Sequence, residues 1–110
     1  LANELSHADS EREAVRPGEI AHLLRAPGSK QQALAGVAEA LAFPSWFGGN
    51  LDALFDCLID LSWLPEGEHV LVWTGTRALA DADPGAYAAI RDTLADALAQ
   101  RPLLRVVLVD

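Results

Sequence analysis

The sequence predicts an α/β domain built on a small three-stranded parallel sheet covered by helices. Three observations carry this. Two β-branched apolar runs, His69 to Trp73 and Leu104 to Val109, have the unbroken hydrophobicity of strands buried on both faces. The segments between the expected strands are long and read with helical periodicity, as crossovers between parallel strands must. The length, 110 residues, suits one domain and is too short for two independent cores.

Residues 1–18, LANELSHADSEREAVRPG, are polar and of mixed charge and end in Pro17-Gly18, so they read as a poorly ordered lead-in, with a short helix within 2–14 as the alternative. Glu19 to Leu24 is the first expected strand, closed by Pro27-Gly28, and the single domain runs from 19 to 110. Ser29 caps a helix in which Leu34, Val37, Ala38 and Leu41 recur at one-face spacing. Pro44 ends it, because the residue before a proline is pushed out of the α region. The aromatic-glycine loop Ser45 to Gly49 follows, then Asn50 as cap of a second helix through about Leu61. Pro65-Glu66-Gly67 turns the chain into the strand at His69. Thr76 to Ala80 makes a turn or two of helix. Asp83-Pro84 opens a longer helix, with aspartate as cap and proline at the first helical position. Ile90, Leu94, Ala97 and Leu98 form its stripe to about Gln100. Pro102 breaks it before the last strand. The expected order is β-α-α-β-α-α-β.

Composition narrows the function. Sixteen Asp and Glu against eight Lys and Arg give a net charge of −8 and a pI near 4.6. That disfavours a nucleic-acid-binding module, which needs a basic footprint, and an anionic membrane surface. A basic protein is the partner such a charge attracts. Hydrophobic residues are 51% of the chain, but twenty of them are alanine, implying a thin, helix-rich core. A single cysteine, Cys57, excludes an internal disulfide framework and fits a reducing compartment. No apolar run reaches the roughly 18 residues of a membrane span, and no basic stretch with an apolar run opens the chain, so a cytoplasmic location is expected. Seven Arg to one Lys with abundant alanine suggest a GC-rich bacterial source.

The placement of charge is more informative than its sum. The 46 residues between Lys30 and Arg77 contain no Lys or Arg, yet hold Glu39, Asp52, Asp56, Asp60, Glu66 and Glu68. Six of the seven aromatics lie in the same stretch. On a wheel of about 100° per residue, Leu51, Leu54, Cys57, Leu58 and Leu61 share the inner face of the second helix. Asp52, Asp56 and Asp60 form an adjoining strip at four-residue spacing, with Phe55 and Ile59 on the border. Such like-charge neighbours cost a few tenths of a kcal/mol each, about 0.2–0.5. Asp60 gains nothing from the helix dipole at the C-terminal end. Three aspartates on a helix are by themselves most often a solvated face. Their coincidence with aromatics and with an absence of cations points instead to a surface kept for binding.

The segment Phe43 to Leu58, FPSWFGGNLDALFDCL, resembles the signature of the barstar family of small acidic ribonuclease inhibitors. The matched positions are Pro44, Trp46, Phe47, Gly48, Asn50, Leu51-Asp52-Ala53-Leu54, Phe55 and Asp56-Cys57-Leu58. The likeness extends more loosely over residues 19–110 through the order of elements. It implies that the second helix and the loop before it occlude the active site of a basic secreted guanyl-specific ribonuclease in a 1:1 complex. By this resemblance Trp46 contacts the nuclease from the loop and Phe55 from the helix. Asp56 enters the phosphate-binding site, facing arginines and a histidine. Asp52 supplies a second acid and Asn50 the helix start. The acid of the last long helix matches Asp96, or Ala97 lies there after a one-residue shift. The candidate interface is therefore Trp46, Phe47, Gly48, Asn50, Asp52, Phe55, Asp56, Ile59, Asp60 and Asp96. At Trp46, Phe55 and Leu61 the best-studied member has tyrosine, tryptophan and tryptophan.

Other classes fare worse. Asp52 and Asp56 lie on one helix face rather than across a cleft, as an acid-base pair requires. His7 falls in the lead-in, and His22 and His69 adjoin strands, where histidines are usually satisfied structural residues. There is no HxxxH, CxxC or EF-hand loop, and Gly48-Gly49 lacks the Lys-Ser/Thr of a phosphate loop, so neither metal nor cofactor is expected. The remaining alternatives are immunity to a different basic toxin and a regulatory protein-binding module.

Overall fold

A computed structural model describes residues 5–100 and 103–110. Four strands, β1 (Ser6–Ala8), β2 (Ile20–Arg25), β3 (His69–Thr74) and β4 (Arg105–Val109), form one parallel sheet in the order β1-β4-β3-β2. The helices are α1 (Glu11–Ala14), α2 (Lys30–Ala40), α3 (Leu51–Asp60), α4 (Thr76–Ala82) and α5 (Pro84–Gln100). From β2 onward the expected β-α-α-β-α-α-β order holds. The break assigned to Pro102 lies outside the described residues.

The sheet has four strands where the sequence predicts three. The extra strand comes from the segment expected to be a poorly ordered lead-in: Ser6–Ala8 pairs with Val107–Val109, and Glu11–Ala14 forms α1. Three residues of strand and four of helix are too short to show a period. Their stability comes from the sheet they join. Ser10 caps α1 by accepting from the Glu13 amide at 3.2 Å. Ala14 and Val15 cover Val70, Val72, Val107 and Val109 on one sheet face. Arg105 fastens this cover from β4. Its guanidinium meets the Glu19 carboxylate through Nε at 2.8 Å and Nη2 at 2.7 Å, and Nη2 also donates to the Ala14 carbonyl at 2.7 Å. The Glu19 side chain is only 2% exposed. Arg105 holds its carboxyl below the usual carboxylate range, more than offsetting the opposite effect of burial.

The opposite face carries the main core. Leu24, Leu71, Trp73, Val106 and Leu108 point from the strands into Leu34, Val37 and Leu41 of the first crossover and Ile90, Leu94 and Leu98 of α5. Ser29 caps α2, accepting from the Gln32 amide at 3.1 Å. The helix ends earlier than Pro44 requires. Ala42 adopts φ 53°, its amide bonds Glu39, and the Phe43 amide reaches back to Ala38 at 2.8 Å. These paired bonds are the Schellman arrangement, which closes a helix by a left-handed residue. At the C-terminal ends of the strands, Gly75 is confined to glycine twice over: φ is 61°, and a Cβ there would lie 2.7 Å from that of Ala26.

Candidate partner-binding site

The site is built on α3 and the loop leading into it. Asn50 has extended backbone and its Oδ1 accepts from the Ala53 amide at 2.8 Å, so it caps α3 as its position predicts. Leu54, Cys57 and Leu58 are buried and Leu51 is partly buried against the same core. This apolar seam packs against α5. It fixes the helix's rotation, and rotation sets what faces outward. Asp52, Asp56 and Asp60 are all exposed, with Phe55 and Ile59 half-buried beside them. Among the described residues the ion pairs join Arg25 to Glu11 and Arg105 to Glu19, and neither involves the acidic strip. Leu61 ends the helix in a left-handed conformation, φ 45°, with its amide on the Cys57 carbonyl at 3.1 Å. Being buried, Leu61 presents nothing to a partner.

The loop before α3 adds an aromatic surface. Phe43 meets Phe47 edge-on at 5.0 Å and Trp63 at 5.9 Å, and Trp63 meets Trp46 at 6.4 Å. The Trp63 indole donates to the Leu41 carbonyl at 2.8 Å, tying the segment after α3 to the end of α2. Trp46 thereby rests on a fixed platform and remains 59% exposed. Holding so much indole in water is unfavourable without a partner, since its face is apolar. Phe47 is half-buried, while Gly48 is exposed. The residue whose backbone demands glycine is Gly49, φ 72°, the position the sequence pattern leaves free.

Of the residues predicted for the interface, Trp46, Phe47, Gly48 and Asn50 share the loop and Asp52, Phe55, Asp56, Ile59 and Asp60 share α3. Asp96 lies apart in sequence on α5, the helix against which α3 packs. Ala97 is buried, so of the two candidates there only Asp96 reaches solvent. Cys57 is fully buried, and its thiol is pushed up by burial first and by Asp56 and Asp60 second. Both effects disfavour the thiolate. Sequence reasoning counted Trp63 among the aromatics but not as a support of the loop; its spacing from Phe43 carries no periodic signal.

Among the described residues, no group of three or more metal-binding side chains converges, and no helix is long and apolar enough to cross a membrane. A family model described as Barstar (barnase inhibitor) matches residues 21–109. No curated protein matches the chain.

Proposed function

The chain belongs to the barstar family, a family of inhibitors rather than enzymes, and from that premise we propose that it binds and occludes the active site of a basic guanyl-specific ribonuclease in a 1:1 complex in the cytoplasm. The observation that carries the reading is the exposed carboxylate strip Asp52, Asp56 and Asp60 on α3, together with the exposed Trp46 in the loop that leads into that helix. A nuclease that cleaves RNA presents cations and hydrogen-bond donors where phosphates sit. Carboxylates held on a rigid helix take the place of those phosphates, and charge-assisted bonds to arginine are the strong kind. Asp56, central in the strip, enters the phosphate site; Asp52 flanks it; Trp46, Phe47, Gly48 and Phe55 cover the surrounding surface. Asn50 holds the start of the helix, and Ile59, Asp60 and Asp96 form the rim. No bond is made or broken. Inhibition is steric and electrostatic.

The test is a titration of RNA cleavage by secreted guanyl-specific ribonucleases with the purified protein. Activity is expected to fall linearly to zero at one equivalent for the cognate enzyme. Binding to a basic toxin of another kind, with no ribonuclease inhibited, would favour the second reading, immunity to that toxin. That reading draws on the aromatic set: Trp46 and Phe55 replace the tyrosine and tryptophan of the best-studied member, and the buried Leu61 offers no ring at all.

A further inference from the structure

Two histidines outside the binding surface meet in a chain of three hydrogen bonds. His22 Nδ1 lies 2.9 Å from the Ala40 carbonyl oxygen, His22 Nε2 lies 2.9 Å from His69 Nδ1, and His69 Nε2 lies 2.7 Å from the Pro65 carbonyl oxygen. The ring centroids are 5.1 Å apart and the planes inclined by 28°, and the closest polar approach is between the two facing nitrogens. A carbonyl oxygen only accepts. His22 Nδ1 and His69 Nε2 must therefore both carry hydrogen. The two facing nitrogens then need one more hydrogen between them. Two neutral imidazoles carry one ring proton each and cannot supply it.

From this count we infer that His22 and His69 hold a single extra proton as a pair, an imidazole and an imidazolium sharing one N–H···N bond, and that this proton clamps the end of α2 to the loop between α3 and β3. Losing it leaves two lone pairs facing each other. Adding another sets two N–H groups, and two cations, against each other. Either change breaks the central bond.

The charged groups around the pair are more acidic than basic. His69 is buried, at 6% exposure, and the clefts it borders are lined by Asp60 at the end of α3, by Glu68, and by Glu19 with its partner Arg105 and the nearby Arg16. Glu39 precedes Ala40 on α2. Burial disfavours charge on His22; the Ala40 carbonyl opposes that, and the neighbouring His69 adds to it. The clamp also has a place in the architecture. Ala40 and Leu41 accept from His22 and Trp63, and Pro65 from His69, so two side-chain links join residues 63–65 to the end of α2. Trp63 is the ring on which Trp46 rests.

The test is a nitrogen-detected imidazole titration of this 110-residue chain carrying His7→Gln, which leaves these two rings. Near neutral pH the pair is expected to carry three ring protons in total, gaining a fourth in acid and losing the third in alkali in two separated steps. Two neutral rings at pH 7, or two independent single-step titrations, would overturn the inference. Thermal melts against pH give a second readout. The melting temperature of the parent is expected to fall on both sides of the neutral range, whereas His69→Gln and His22→Gln flatten that profile if they fold. Because both measurements use the free protein, their failure is separate from any failure of the inhibitor reading.

Discussion

Replacing Asp56 with alanine separates the binding role of the acidic strip from its structural cost. Asp56 is exposed, so its truncation leaves no cavity. It stands four residues from Asp52 and from Asp60, and removing it relieves two like-charge contacts of about 0.2–0.5 kcal/mol each. Alanine is also the better helix former, by about 0.5–0.7 kcal/mol. Asp56→Ala should therefore be more stable by about 1 kcal/mol, which for a domain near this size raises the melting temperature by about 4–8 °C. High salt should shrink the electrostatic part of that gain and leave the propensity part. The thiol of Cys57, held up in part by Asp56, should titrate lower in the variant. Binding should move the other way. Removing one member of a desolvated charge pair costs about 2–5 kcal/mol, a scale drawn from measured interfaces, barnase–barstar included, rather than from this structure. That is about 30-fold to several thousand-fold in affinity. Asp60→Ala, one turn further along at the rim, should cost less. The assays are thermal melts and inhibition titrations against the ribonuclease that the parent inhibits. A lower melting temperature for Asp56→Ala, or small and equal affinity losses in both variants, would refute the reasoning.

Association of the protein with its basic partner should slow steeply as salt rises, because screening over about 10 Å at 0.1 M removes the steering of a strip without internal cations; stopped-flow rates at low and high salt check this. Cys57 should resist thiol reagents in the native protein and react on unfolding, and Cys57→Ala should leave inhibition largely intact. The carboxyl of Glu19 is depressed in the fold, so its contribution is fully present above the ordinary carboxylate range and lost as pH falls through its folded value. Glu19→Gln, which strips a nearly buried carboxylate from Arg105, should cost about 3 kcal/mol at neutral pH and flatten the acid limb of the stability curve, as read by denaturant melts. Ala42→Gly should stabilise by about 0.5 kcal/mol, since the relief of a left-handed alanine exceeds the added freedom of the unfolded chain.

From β2 to β4 the elements were legible because their signals are local and repeated. The stripe of Leu54, Cys57, Leu58 and Leu61 defines α3 and its inner face, and that face leaves Asp52, Asp56 and Asp60 only the outside. The caps Ser29, Asn50 and Asp83 act within three residues, and each accepts the bond that its position predicts. Features without local signal came from contact. Ser6–Ala8 is a strand because β4 offers it an open edge, and α1 is a helix because Ala14 has four valines to cover. Trp63 supports Trp46 across seventeen positions of chain, and His22 finds His69 forty-seven residues away. Periodicity records which face of an element is apolar, since burial selects residues at the element's own repeat. It does not record which two faces meet. A single hydrogen bond between strands, or one ring laid on another, has no repeat to leave in the sequence.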